Sequence, residues 1–423
     1  MQIETIGVIG LGDMGKLYAK SAARVGYKVS GYDLPQKREQ LEQDLIGTDV
    51  NILSSAAEVA KRSDLTFLLV PVENIAESVP EWAASVKKGA IVSSGASVMT
   101  PAIMALEKHL DRNAKIINWH WLAGPAVPVP NMDSALVSYR SDNESYRAMY
   151  DAIKPIGPKI LELPSYELHD KITADTQAVT HIGFEALGTA WQNMEQYPWE
   201  NPTYVGGIDN VKVLMCLRIY GGKPHVYSGL ALYNPFAGEQ IRQYAKSTSD
   251  LFGLMIQEDE TEFRRRIKKA GNFVFNNGDA PILLDDKIMG EFNLGIPSEQ
   301  GRENSNLNPL AMVDAWYQAQ INPYNNMICQ TPVFRLRLGI AEYLFRNEDL
   351  LEESIQTALY QKAIRRDDLE FHKAVWRWST IVESGSASAY HKQFLETQAF
   401  FVDRLPEAMK RSGELIRQLS RAV

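Results

Sequence analysis

The ten residues from Ile6 to Gly15 (Ile-Gly-Val-Ile-Gly-Leu-Gly-Asp-Met-Gly) leave the start of this chain few ways to fold. Glycines at 10, 12 and 15 have the G-x-G-x-x-G spacing, behind an apolar run and ahead of an amphipathic stretch, Met14–Val25. In a strand–turn–helix unit, Gly10 permits the tight turn, Gly12 lets backbone approach a pyrophosphate, and Gly15 lets the helix pack closely on the strand. The helix N-terminus then faces the phosphates with unpaired N–H groups. A second β-rich run ends at Asp33, where a carboxylate can accept both ribose hydroxyls of a dinucleotide. The expected cofactor set is therefore Gly10, Leu11, Gly12, Asp13, Met14, Gly15 and Asp33, with Pro71 directly behind the strand Leu65–Val70. Asp33 favours NAD, because it would repel a 2′-phosphate, while Lys37 and Arg38 could neutralise one. Both NADP and NAD stay open at this point.

The pattern that follows extends the unit into a domain. Strand-like runs at Thr5–Gly10, Lys28–Tyr32, Leu65–Val70, Ala90–Ser93, Lys115–Asn118, Ala135–Ser138 and Lys159–Leu163 alternate with amphipathic stretches such as Val72–Val86 and Thr100–Lys108. Such alternation predicts a parallel sheet covered on both faces. After Pro164 long helical patterns take over, among them Glu167–Glu195, Pro235–Ile256, Asn308–Gln320 and Val333–Phe345. The expected fold is α/β then all-α: a Rossmann-type doubly wound domain over 1–163 and a helical domain over 164–423. Gly295–Asn308 reads as a loop or internal linker.

Composition removes several function classes. A net charge of −8 and a pI near 5.5 argue against a nucleic-acid partner, which needs a basic face. Cys216 and Cys329 are the only cysteines, too few for a disulfide framework or a cysteine-rich zinc site. No apolar run reaches the ~18 residues of a membrane span. The opening Met1–Glu4 lacks the basic and apolar segments of a secretory signal, so a cytoplasmic enzyme is expected.

Among seven histidines, His120 stands out by place, after the strand Lys115–Asn118 and before Gly124-Pro125. Ligands of open α/β sheets bind at the strands' C-terminal edge, and a neutral imidazole there can accept a substrate hydroxyl proton. Ser97 follows another strand at that edge and could orient the ring. Beyond the boundary, Asp170, Gln177 and His181 share one stripe of a predicted helix. Their functional reading is the wall of a cleft; their plain one is mutual satisfaction. His169 and His181 lack the i, i+4 spacing of a helical zinc pair, no H-E-x-x-H occurs, and no metal is expected. Arg218 lies in a largely apolar run, Val213–Tyr220, where a guanidinium needs an anionic partner, either an internal carboxylate or a substrate's.

Taken together, the glycine turn, the block His169–His181, the segment Asn210–Tyr220 and the stretch from Asp314-Ala315-Trp316 to Asn322-Pro323-Tyr324 resemble the prephenate/arogenate dehydrogenase family, in particular its long-chain NADP-dependent branch. The resemblance runs over essentially the whole chain. It implies His120 as catalytic histidine, in a frame of His, three residues, then Gly. It implies Ser97 as the serine bonded to that histidine, and Arg218 as the arginine gripping a substrate carboxylate. Tyr227 falls where many members have tryptophan, and His181 matches the first histidine of a Ser-His-Leu-Pro-His motif whose second is Phe184 here. With Gln177, these residues form the expected substrate set. Trp121 and the stretch Gly124–Pro128 depart from the family's pattern. The implied activity is oxidative decarboxylation of prephenate to 4-hydroxyphenylpyruvate in tyrosine biosynthesis, with hydride passing to NAD(P)+, by a homodimer. Arogenate is the alternative substrate. A β-hydroxyacid dehydrogenase is disfavoured, because Ile172-Thr173-Ala174-Asp175 after Lys171 supply no asparagine pair. A non-catalytic dinucleotide-binding regulator would need neither His120, Ser97 nor Arg218.

Overall fold

In a computed structural model, residues 2–125, 127, 129, 132–200, 204–275, 281–283, 286–298 and 303–421 are described. The predicted linker Gly295–Asn308 lies partly outside them. The chain divides into two compact units, Met1–Thr173 with Tyr233–Pro235, and Ala174–Leu232 with Phe236–Val423.

The first unit is an eight-stranded sheet in the order β3-β2-β1-β4-β5-β6-β7-β8. Its strands are β1 (Thr5–Ile9), β2 (Lys28–Tyr32), β3 (Val50–Ile52), β4 (Leu65–Leu68), β5 (Ile91–Ser94), β6 (Lys115–Trp121), β7 (Asp133–Arg140) and β8 (Lys159–Leu163). Its helices are α1 (Asp13–Arg24), α2 (Arg38–Asp44), α3 (Ala56–Arg62), α4 (Ile75–Trp82), α5 (Thr100–His109), α6 (Asn143–Ile153) and α7 (Tyr166–Thr173). The strands β1 to β6 are mutually parallel, and β1 sits where strand order reverses, between β2 and β4. That switch point is where such sheets open for ligands. Two apolar clusters, one around Tyr18, Phe67 and Trp119 and one around Val79, Trp82 and Leu106, form the core of this unit.

Two features differ from the sequence expectation. β3 is too short and too polar (Val-Asn-Ile) to stand out as a strand, and it pairs only with β2. β7 runs antiparallel to β6, so the sheet is not wholly parallel. The connection from β6 to β7 leaves no room for the crossover helix that a parallel neighbour requires.

The second unit is helical. It contains a π-helical segment, Ala174–Val179, then α8 (Thr180–Met194), α9 (Gly207–Tyr220), α10 (Pro224–Tyr233), α11 (Ala237–Gln257), α12 (Glu260–Phe275), α13 (Asp286–Gly290), α14 (Leu307–Gln318) and α15 (Pro332–Arg346). The chain ends with α16 (Glu348–Tyr360), α17 (Arg365–Glu383), α18 (Ala387–Phe400) and α19 (Leu405–Arg421). α8 and α9 are buried on nearly every side, which explains their continuous apolar character.

Candidate active site

The glycine turn has the geometry that its spacing demands. Gly10 adopts φ +95°, and a Cβ there would lie 2.7 Å from the backbone of Leu69. A Cβ on Gly15 would sit 1.9 Å from the Gly10 carbonyl oxygen, so only glycine lets α1 approach β1 this closely. At Gly12 an added Cβ would meet no protein atom within 4 Å. The cradle before α1, where Asp13 and Met14 begin the helix with their N–H groups forward, is therefore open to a pyrophosphate. Pro71 opens a short 3-10 turn directly behind β4.

Asp33 behaves differently from the expectation of a free ribose acceptor. Its Oδ2 accepts the N–H of Leu11 at 2.9 Å, and its Oδ1 accepts the N–H of Leu34 at 2.7 Å and Lys37 Nζ at 3.0 Å. The carboxylate thus ties the glycine turn to the end of β2, and its charge is paired with a lysine that is itself half exposed.

His120 lies within a strand rather than after one. β6 continues through Trp121, and His120 pairs with Ala135 of β7. Strand alternation sends Trp119 and Trp121 to one face and Asn118 and His120 to the other. On the first face Tyr18 of α1 stacks on Trp121, with ring centroids 4.1 Å apart, and donates its hydroxyl to the Trp119 carbonyl at 3.0 Å. It also accepts the Trp121 N–H at 3.2 Å. The dinucleotide helix is thereby fastened to the strand that carries His120.

On the other face His120 is 4% exposed, and its Nδ1 lies 3.0 Å from Nε2 of His169 in α7. His169 Nδ1 in turn lies 2.8 Å from Oδ1 of Asp170. Asp170 also accepts the N–H of Met99 at 2.8 Å and, from Thr100, the N–H at 2.8 Å and the hydroxyl at 2.7 Å. α5 has no capping side chain of its own, so Asp170 caps it from a distant part of the sequence. Asn234 Nδ2 holds the Asp170 carbonyl at 2.8 Å. These bonds make α7 part of the sheet unit. Burial, and then the His169 ring beside it, hold the His120 pKa well below the ordinary imidazole range. Ser97 is half-buried beyond β5 and is not hydrogen-bonded to His120 among the described residues; the ring's partner is His169.

The predicted polar stripe is not a stripe. The π-helical segment Ala174–Val179 inserts an extra residue and turns later side chains by about one residue's rotation. Asp170 faces the start of α5, whereas Gln177 is buried in the π segment and His181 faces Tyr227 within the helical unit. The His181 and Tyr227 rings meet edge to face, with centroids 4.9 Å apart. Tyr227 in turn stacks on Phe394. Burial, and then the Arg337 guanidinium, push His181 down to about 3, and its Nδ1 has no hydrogen-bond partner among the described residues.

Arg218 ends α9, largely buried, with its Nη1 3.3 Å from the Ser412 hydroxyl. Among the described residues no carboxylate pairs with it. Desolvation lowers its pKa, and Tyr227 and Arg417 are the titratable neighbours. A second arginine, Arg337 of α15, lies outside the expected substrate set. It is 4% exposed, donates to the Val179 carbonyl, and sits over the Tyr244 ring at 5.1 Å. A Cβ on Gly183 would come within 2.4 Å of its Nη2, so that glycine makes its room. A guanidinium in an apolar run, the signal at Arg218, also marks Arg337 in Val333–Phe345. His169 has a signal too, its adjacency to Asp170. The variant stretch Gly124–Pro128 lies partly outside the described residues.

Sheet, turn and buried imidazole are those of a dinucleotide-dependent oxidoreductase. Residues 5–120 match the NAD binding domain of 6-phosphogluconate dehydrogenase, and residues 178–421 match a 6-phosphogluconate dehydrogenase C-terminal domain. The chain is 40% identical over 426 residues to a prephenate dehydrogenase (NADP+) of Saccharomyces cerevisiae, covering 98% of this chain and 94% of that one. It is 38% identical over 419 residues to a probable prephenate dehydrogenase (NADP+) of Schizosaccharomyces pombe, covering 98% and 97%. Among solved structures, a prephenate dehydrogenase from A. aeolicus in complex with hydroxyphenyl propionate and NAD+ shares the fold, with a TM-score of 0.52 and 21% identity over 63% of this chain and 96% of that one. The chain belongs to the prephenate dehydrogenase family.

Proposed function

We propose that this protein oxidatively decarboxylates prephenate to 4-hydroxyphenylpyruvate with hydride transfer to NADP+, a step of tyrosine formation. The observation that carries the reading is identity near 40% over 98% of the chain to relatives of that activity. His120 is the general base: its Nε2 takes the ring hydroxyl proton while hydride leaves the same carbon. Bound NADP+ supplies the hydride acceptor. The ring carboxylate then departs as carbon dioxide, driven by aromatisation, so the protein's task is alignment and exclusion of water rather than activation by a metal.

Arg218, left without a carboxylate of its own among the described residues, holds a substrate carboxylate. His181, Gln177 and Tyr227 shape the substrate's surroundings, and Ser97 contributes at the edge of β5. Gly10, Leu11, Gly12, Asp13, Met14 and Gly15 cradle the pyrophosphate, with Asp33 and Pro71 beside the adenosine half. The saturation of Asp33 supports NADP over NAD. A carboxylate already neutralised by Lys37 no longer repels a 2′-phosphate, and the lysine offers it a cation. The protein acts as a homodimer in the cytoplasm. Among the described residues no helix is long and apolar enough to cross a membrane.

The deciding assay compares kcat/KM for prephenate and arogenate, each with NAD+ and NADP+. Prephenate with NADP+ is expected to be highest. A higher value with arogenate would overturn the substrate, and a higher value with NAD+ the cofactor.

A further inference from the structure

The line His120–His169–Asp170 carries more than one base. Its hydrogen bonds set the tautomers from the far end. Asp170 already accepts from Met99 and Thr100, so it also accepts from His169, whose proton lies on Nδ1. His169 therefore presents a lone pair at Nε2. The 3.0 Å contact with His120 is then a hydrogen bond when His120 carries its own proton on Nδ1. This leaves His120 Nε2 as the bare nitrogen, with no partner among the described residues.

We propose that His169 receives the Nδ1 proton of His120 as the substrate's hydroxyl proton arrives at His120 Nε2, so that the positive charge comes to rest beside Asp170. The inference rests on the reading of His120 as the base. In the step the substrate O–H bond breaks and an Nε2–H bond forms on His120. The His120 Nδ1–H bond breaks and an Nε2–H bond forms on His169. The electron pair of the breaking C–H bond leaves with the hydride to the nicotinamide. His169 touches none of the reacting atoms; it is a positioning residue that also holds a proton.

The physical reason is the cost of a buried cation. His120 is enclosed in apolar strand surroundings, where an imidazolium is strongly disfavoured. His169 is buried too, but it donates to a carboxylate 2.8 Å away, and an ion pair with full hydrogen bonding lowers the cost of the charge. Of the ionisable groups on elements packed against α7, Glu107 of α5 is paired with Arg140 of β7, and Glu162 of β8 accepts the Tyr146 hydroxyl. Tyr166 and Glu167, at the start of α7, are the groups whose titration feels Asp170.

The test is a proton inventory on the intact enzyme. NADPH formation is followed in a single turnover with prephenate in mixtures of H2O and D2O. Two protons in motion give a bowed dependence of rate on deuterium fraction; a straight line from an active enzyme overturns the proposal. His169→Gln gives the second reading. The glutamine amide can accept from His120 and donate to Asp170 but cannot take up a proton. It is expected to lower kcat about 10²-fold with KM unchanged and to straighten the inventory. Wild-type kcat in His169→Gln would show that the residue only orients His120, and the relay would fall. If that variant does not fold, the wild-type inventory still decides. Failure of the wild type to oxidise prephenate would instead strike the functional reading itself.

Discussion

Two buried histidines, one in each unit, show what burial alone does not settle. His120 and His181 are 4% and 8% exposed, and desolvation depresses both. Their neighbours differ. His120 passes its Nδ1 to a second imidazole that ends on a carboxylate, so an incoming proton has somewhere to go. His181 has the Arg337 guanidinium beside it, which opposes any proton. The first ring is built to change charge, and the second to stay neutral while offering its shape and edge to Tyr227. The lesson is that the next residue out decides which buried histidine can act as a base.

That contrast can be broken at its strongest point first. His120→Asn is expected to lower kcat by roughly 10²–10⁴, the range of a lost general base, with NADP+ affinity measured by titration unchanged. Undiminished turnover would remove the distinction between the two rings. Arg218→Ala comes next. Losing a charge-assisted bond worth about 1.5–3 kcal/mol should raise KM for prephenate about 10- to 100-fold with kcat little changed. A normal KM would mean that Arg218 holds no substrate carboxylate.

The smallest effect concerns stability. The folded chain keeps His181 near 3, against an ordinary 6.5, so the unfolded chain binds the extra proton in that window. Stability is therefore lost as pH falls from about 6.5 toward 3. Glu185, one turn along α8, works the other way. Burial raises it from an ordinary 4.5 to about 8, only partly offset by the 2.7 Å bond from Tyr390. The unfolded chain ionises first, and stability is lost as pH rises from about 4.5 to 8. Thermal melts of Glu185→Gln should gain on the wild type as pH rises through that window, by about 2–4 °C for each kcal/mol recovered. Parallel melting curves for the two proteins would show that the carboxyl does not change charge there.

Much of the first unit was legible in the residues. Gly10, Gly12 and Gly15 do local work, because a turn and a helix approach depend on atoms within ten residues. The apolar strands read clearly, and His120 was found from its place near a strand end. What escaped depended on distant pairings. β7's reversal is set by the length of a connection and by the partner β6 offers, and β3 exists only because β2 lies beside it. The π segment undid a stripe that a regular helix would have kept. Asp33 looked like a free acceptor because nothing in its own neighbourhood announces the N–H of Leu11, 22 residues earlier.

The sequence by itself determined the dinucleotide turn, the two-part organisation, and which few polar residues stand in apolar company, since these follow from side-chain size and local periodicity. Only the tertiary structure decided that His169, not Ser97, meets His120, and that Asp170 reaches back to cap a helix 70 residues earlier. Hydrogen-bond partners are chosen by proximity in space, and a linear pattern carries no record of that distance.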